Sequence, residues 1–183
     1  MLIKIKDLAL RKIEFDESFQ PGAIALGDEV EQKTPLKSSG RVELLRENRG
    51  AGEFVEDIRL VGGLSTQVEF RCARCLDPVP YRVQENFDLV YRPQGVDAVA
   101  DESSISRAET EIGYYQGEGL LLEDVLKEQV LLALPVKQVC RRDCKGLCPH
   151  CGGNLNLETC NCVSTMTDPR WSALEDIRKK LER

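Results

Sequence analysis

The chain has 183 residues, a formal net charge of −6, and 42% hydrophobic against 31% charged residues, which suits one soluble domain with an appendage or two small domains. Aromatics make up only 5%, which argues against a broad stacking surface for single-stranded RNA. A protein that coats RNA by phosphate neutralisation needs a strongly basic surface, and this chain lacks one.

The distribution of charge is more informative than its sum. Residues 1–135 hold 16 Lys/Arg against 25 Asp/Glu, a net of −9, and residues 136–183 hold 9 against 6, a net of +3. General RNA affinity is therefore not expected. A local contact through the C-terminal part, or docking of a basic protein on the acidic part, fits better. The N-terminus, Met1-Leu-Ile-Lys-Ile-Lys-Asp7, lacks the apolar run of a signal peptide. Leu120–Leu134 is too short and too charged to span a bilayer. The expected location is cytoplasmic, where reducing conditions disfavour disulfides.

In chain order, Leu2, Ile3 and Ile5 begin a strand, and Arg11–Phe15 reads as another. Asp16–Lys33 is acidic, contains Pro21 and small residues, and reads as loop or short irregular structure. From about Leu36 the pattern becomes strand-like. Val42, Leu44 and Leu45 mark one strand, ended by a turn over Asn48–Gly52. Phe54, Val55, Ile58, Leu60 and Val61 mark the next, with Gly62-Gly63 as its turn. Val68 and Phe70 alternate with polar residues up to Cys72. Leu76-Asp-Pro78 is a turn signal, and Val79, Tyr81, Val83, Phe87, Leu89 and Tyr91 continue a meander of antiparallel strands.

Pro93–Thr110 is polar and aperiodic and reads as a loop, followed by a short strand in Glu111–Gln116. Leu120–Leu134 has helical periodicity and stops at Pro135. Asp168-Pro169 provides an N-cap and first-turn pair for a last helix, with Trp171, Leu174, Ile177 and Leu181 on one face. The fold class expected is α+β: an antiparallel β-meander sheet with a packing helix, then a small cysteine-rich zinc-binding segment and a C-terminal helix. The domain division expected is 1–135, a β-rich core with helix 120–134, and 136–183, the cysteine cluster with the last helix.

Six of the eight cysteines, Cys140, Cys144, Cys148, Cys151, Cys160 and Cys162, fall within 23 residues. Cys148-Pro-His-Cys151-Gly has the form of a zinc knuckle: two thiols on a tight turn, with a glycine that lets the chain reverse. Cys140-x3-Cys144 and Cys160-x-Cys162 can each complete a tetrahedral site, so the expectation is one zinc held by Cys148, Cys151 and two of those four. The segment has few large apolar side chains, and metal binding would supply its folding energy. Cys72-x2-Cys75 is a second thiol pair: half a metal site, a redox pair or two packed thiols. A thioredoxin-type pair wants a strand-to-helix junction, whereas the residues after Cys75 turn back into strand.

His150 is the only histidine, and its place inside the knuckle makes it a bystander. There is no H-E-x-x-H, P-loop, G-x-S-x-G or G-x-G-x-x-G, and enough sulfurs are present to close the site. The zinc is expected to be structural and the protein non-enzymatic. Lys137, Arg141, Arg142 and Lys145 crowd around the first cysteines of the cluster, with Arg170 beyond it, as candidate contacts to RNA or a partner.

The chain resembles the YceD family, the large ribosomal RNA subunit accumulation proteins of bacteria and plastids. The resemblance is carried by Glu69-Phe-Arg-Cys-Ala-Arg-Cys-Leu76, Leu132-Ala-Leu-Pro135, Cys140-Arg-Arg-Asp-Cys-Lys-Gly-Leu-Cys-Pro-His-Cys-Gly152, Asn154-Leu-Asn156, Cys160-x-Cys162 and Asp168-Pro-Arg-Trp-Ser-Ala-Leu174. It runs from Val42 onward and implies a role in synthesis, processing or stability of 23S ribosomal RNA within ribosome biogenesis. The expected partner is a large-subunit RNA precursor or a ribosomal protein, with no membrane and no small-molecule substrate. The competing class is an enzyme, either a thiol oxidoreductase or a metal-dependent nuclease. The family supplies no catalytic residues to carry over.

Overall fold

A computed structural model describes residues 1–50, 53–96, 112–162 and 177. The elements are β1 (Leu2–Lys4), α1 (Ile5–Leu8), β2 (Ile13–Phe19), β3 (Val30–Gln32), β4 (Leu36–Gly50), β5 (Glu53–Arg71), β6 (Pro78–Pro93), β7 (Ile112–Tyr115), β8 (Gly119–Leu121) and α2 (Leu122–Leu132). The main sheet has the order β2-β4-β5-β6-β7, and β3 also pairs with β5. β4 meets β5 as far as Ser65, and β3 takes over the same partner from Val68 to Phe70. A second, two-stranded sheet joins β1 to β8.

The long strands follow from alternation. Ile58, Leu60, Leu64, Thr66, Val68, Phe70 and Cys72 are all buried, alternate positions from Ile58 to one residue past β5, with half-buried Gly62 filling the gap in the series. The other face carries charge: Arg59 grips Asp88 across the strands through two hydrogen bonds of 2.8 and 2.6 Å, and Lys12 reaches Glu43 at 2.6 Å. α2 adds Leu122, Val125, Leu126 and Val130 to the same core, and Tyr81 Oη donates to the Ala133 carbonyl at its end. No helix among the described residues is long and apolar enough to cross a membrane.

The α+β class with a sheet-dominated core stands, with corrections in detail. Gly62-Gly63 is not a turn: β5 runs straight through it. Phe15, Gly40, Gly62 and Phe87 are register partners in one row across β2, β4, β5 and β6. A Cβ on Gly40 would lie 2.3 Å from the Val61 carbonyl oxygen and 2.9 Å from the Phe15 ring, and one on Gly62 would lie 2.6 Å from the Ser39 carbonyl oxygen. The strands approach so closely, under two aromatic rings, that only glycine fits. Asp16–Lys33 is not all loop, since β2 runs to Phe19 and β3 lies within it. β4 likewise extends through Gly50. The meander is antiparallel up to β6, but β7 joins it in parallel. Leu120 and Leu121 belong to β8, so the helix begins at Leu122. Residues 97–110 of the expected loop lie outside the described residues, as does the last helix apart from Ile177.

Candidate metal centres

β5 and β6 are joined by a six-residue turn, 72–77, at one end of the sheet. The buried register of β5 delivers Cys72 to the interior, where it is fully buried. The Cys72 N–H donates to the Asp77 carbonyl (2.9 Å), and the Leu76 N–H donates to the Cys72 carbonyl (2.9 Å). Leu76 closes this turn with φ of 63°, a conformation that a side chain disfavours by about 1–2 kcal/mol. The turn points both thiols of the pair to one side, as a metal-binding knuckle does.

Beyond α2 the chain returns to this turn. The Ala73 N–H donates to the Gln138 carbonyl (2.7 Å), and the Arg74 guanidinium donates to the carbonyls of Cys144 (2.8 Å) and Arg142 (3.4 Å). Arg74 thus ties the segment to the turn. Cys140 and Cys144 arrive beside Cys72 and Cys75, and Val79, Val139 and Leu147 pack around the group.

The eight sulfurs fall into two groups of four: Cys72, Cys75, Cys140 and Cys144, and Cys148, Cys151, Cys160 and Cys162, each with its sulfurs within 4.8 Å of one another. In the first, Cys72 Sγ lies 3.9 Å from Cys144 Sγ, and Cys75 Sγ lies 3.7 Å from Cys140 Sγ. A disulfide would need about 2.0 Å. A tetrahedral thiolate site with metal–sulfur bonds of about 2.3 Å has edges of about 3.8 Å, which these separations match. All eight cysteines are unbridged. Either group can hold one metal ion.

The electrostatics agree with that use. Burial opposes ionisation of Cys72, but the backbone N–H groups of Cys75, Cys140 and Arg74 outweigh it and lower the thiol to about 6. The Cys151 and His150 N–H groups, with the Cys160 thiol, lower Cys148 to about 6 as well. Burial also opposes Cys144, which the Asn156 amide and the Gly146 N–H nevertheless bring down. Neighbouring sulfur then resists further ionisation: Cys162, beside Cys151 and partly desolvated, is pushed up to about 12. Four thiolates this close would need a cation among them, and a divalent ion would supply it.

Cys140 and Cys144 therefore join the sheet's own pair, and Cys160 and Cys162 are the partners of Cys148 and Cys151. His150 belongs to neither group and contributes its backbone N–H to Cys148 Sγ at 3.4 Å. Lys137, Arg141, Arg142 and Lys145 are exposed around the first group. Arg141 is also structural, since its guanidinium donates to Asn156 Oδ1 at 2.9 Å. Arg170 lies outside the described residues. The sequence reading missed Asp77, Asn154 and Asn156, which hydrogen-bond the ligands or their turn. The Asn154-Leu-Asn156 spacing within the cysteine segment was the available signal.

The family model described as Large ribosomal RNA subunit accumulation protein YceD matches residues 60–178. An uncharacterized protein of Mycobacterium tuberculosis is 35% identical over 122 residues, covering 67% of this chain and 56% of that protein. An uncharacterized protein of Mycobacterium leprae is 29% identical over 123 residues, 67% of this chain and 54% of the relative. The Zea mays protein named Large ribosomal RNA subunit accumulation protein YCED homolog 1, chloroplastic, is 26% identical over 131 residues, 57% of this chain and 44% of its own length. The matched part is thus about half the length of these curated relatives. No solved structure matches. The match spans both thiol groups and most of the chain, and the protein belongs to the YceD family.

Proposed function

We propose that the chain is a non-enzymatic ribosome biogenesis factor that supports the synthesis, processing or stability of 23S ribosomal RNA by binding a large-subunit RNA precursor or a ribosomal protein. The observation that carries this reading is the family match across residues 60–178, together with the name borne by its maize relative. The zinc centres are structural in this reading. Each thiol group has four ligands of its own, enough to close a tetrahedral site and leave no position for a reacting water. A hydrolytic zinc keeps such a position open and needs a nearby acid/base pair.

What the metals do is present a surface. Residues 136–162 contain little regular structure, yet the thiol groups hold them against the sheet with Lys137, Arg142 and Lys145 in solvent. These cations stand beside the first thiol group, where a site of four thiolates around one divalent ion would itself add about −2, so any phosphate contact is local to their side chains. Co-sedimentation of the purified, zinc-loaded chain with large-subunit precursors tests the reading. Binding without any change in the length of a 23S precursor fragment is expected. Cleavage of the fragment by the chain alone would overturn the non-enzymatic reading, and failure to associate with precursors would overturn the assembly role.

A further inference from the structure

The two thiol groups are not independent. Asn154 and Asn156 sit inside the ligand loop of the second group, between Cys151 and Cys160, yet their side chains serve the first. Asn154 Nδ2 donates to the Asp77 carboxylate at 3.1 and 3.4 Å, and Asn156 Nδ2 donates to Cys144 Sγ at 3.3 Å. Asn156 Oδ1 accepts from the Lys145 N–H at 2.8 Å, and Asn154 Oδ1 accepts from Asn156 at 2.9 Å, so the two amides are locked to one another and to the first group.

The backbone repeats the connection. The Leu147 N–H donates to the Arg74 carbonyl (3.0 Å), the Leu155 N–H donates to the Gly146 carbonyl (2.9 Å), and Leu147 bridges to Asn154. Gly146 has φ of 78°, and a Cβ there would lie 3.0 Å from the Arg74 carbonyl oxygen. The seat of the second group is therefore built directly on the turn that carries Cys72 and Cys75. The first group has a further foundation, because β5 and β6 hold that turn and Cys72, Cys75 and Cys144 are buried. The second has only its loop, and of its ligands Cys148 alone is buried.

We propose that this chain takes two zinc ions in sequence: Cys72, Cys75, Cys140 and Cys144 fill first and fasten the segment to the sheet, and that ion raises the affinity of Cys148, Cys151, Cys160 and Cys162. Asn154 and Asn156 are the positioning residues that couple the sites. The proposal rests on the reading of both groups as zinc centres. Linkage makes the coupling mutual, so the order comes from the firmer foundation of the first group. A coupling free energy between two sites typically changes an affinity by about 5–150-fold, which sets the expected size.

The test is zinc titration of the full chain with a competing chelator, alongside cobalt(II) as a spectroscopic probe. The wild type should hold two ions per chain in two resolved steps. Cys160→Ser should keep one. In Cys72→Ser the remaining ion should be held at least tenfold more weakly than the second ion of the wild type. If Cys72→Ser does not fold, the double variant Asn154→Ala/Asn156→Ala decides, since it keeps all eight thiols. It should bind two ions with the second at least tenfold weaker. In a Cys160→Ser background, Asn156→Ala should also shift the thiolate-to-cobalt band of the first site, because Cys144 loses its amide donor. A second ion bound as tightly in the asparagine double variant as in the wild type would overturn the coupling and leave the zinc reading intact. A wild-type chain that binds no zinc would overturn both.

Discussion

The sulfurs of Cys75 and Cys140 lie 3.7 Å apart although 65 positions separate them in the chain. A contact of that range closes a long loop, and its entropic cost has to be met by something stronger than two neighbouring thiols. A shared metal ion would meet it. Chelation at neutral pH is therefore expected to free residues 136–162 while the sheet persists. Limited proteolysis should then cut between Leu134 and Cys140, and the buried thiols of Cys72, Cys75, Cys144 and Cys148 should become reactive toward a thiol reagent. Protection from protease that is indifferent to chelator would count against a metal role.

The sheet itself should not need the segment. Among the described residues, all the buried members of the main core, from Ile3 to Val130, precede Pro135. A chain ending at Pro135 leaves Cys72, Cys75 and Val79 without their cover but keeps every described residue of that core. It is expected to unfold cooperatively on heating, at a lower temperature than the zinc-loaded full chain. A molten or insoluble product would show that the cysteine segment completes the fold.

The strands of the sheet were legible because alternation at Val42–Leu44, Val68–Phe70 and Val79–Val83 reports a half-buried surface directly. Gly62-Gly63 misled, since glycine signals both a turn and a close backbone approach, and only the distant Phe15 and Phe87 tell the two apart. The pairing of cysteines was hidden for a similar reason. Spacing along the chain groups Cys140 with Cys148, whereas the partner of Cys140 is set by where β5 ends. The parallel addition of β7 has no local signature in the sequence of Glu111–Gln116.

The glycine row offers a direct check. Gly40→Ala would place a methyl group against the Val61 carbonyl oxygen, a backbone atom that cannot move without separating β4 from β5. The expected loss is about 1–3 kcal/mol, as for other overpacked sites. Gly22→Ala, where nothing lies within 4 Å but φ is 88°, should cost only the conformational preference, about 1–2 kcal/mol. Denaturant midpoints of the two variants separate packing from backbone strain.

A buried ion pair lies at the other end of β6. Arg92 bonds Asp57 at 3.2 and 3.0 Å, and both side chains are 7% exposed; its Nη2 also reaches the half-exposed Glu47 at 2.7 Å. Arg92→Ala strands a buried carboxylate and should cost about 3–5 kcal/mol. Arg92→Met combined with Asp57→Leu should recover most of that loss, because apolar replacement of both partners removes the stranded charge. Equal destabilisation by the single and double changes would mean that the pair acts through packing alone.

In the proposed role, association with a large-subunit precursor should depend on salt no more steeply than a few phosphate contacts require. Four cations, Lys137, Arg141, Arg142 and Lys145, surround the first thiol group, while residues 1–135 carry a net of −9 that repels phosphate at longer range. Each neutralised phosphate contributes about 0.7–0.9 to the slope of log affinity against log salt, so four contacts give a slope no steeper than about −4. Arg141 is a poor choice for mutation because it also holds Asn156. Arg142→Glu with Lys145→Glu is the cleaner test, since both residues are exposed and neither supplies a thiol ligand. The double reversal should weaken association with the precursor, flatten the slope by about 2, and leave zinc content and thermal stability unchanged. Tight binding to random RNA with a much steeper slope would refute specific docking. Unchanged association in the double variant would move the contact from the cysteine segment to the acidic sheet, where Asp28, Glu29, Glu31 and Glu69 border one groove and a basic ribosomal protein is the better match.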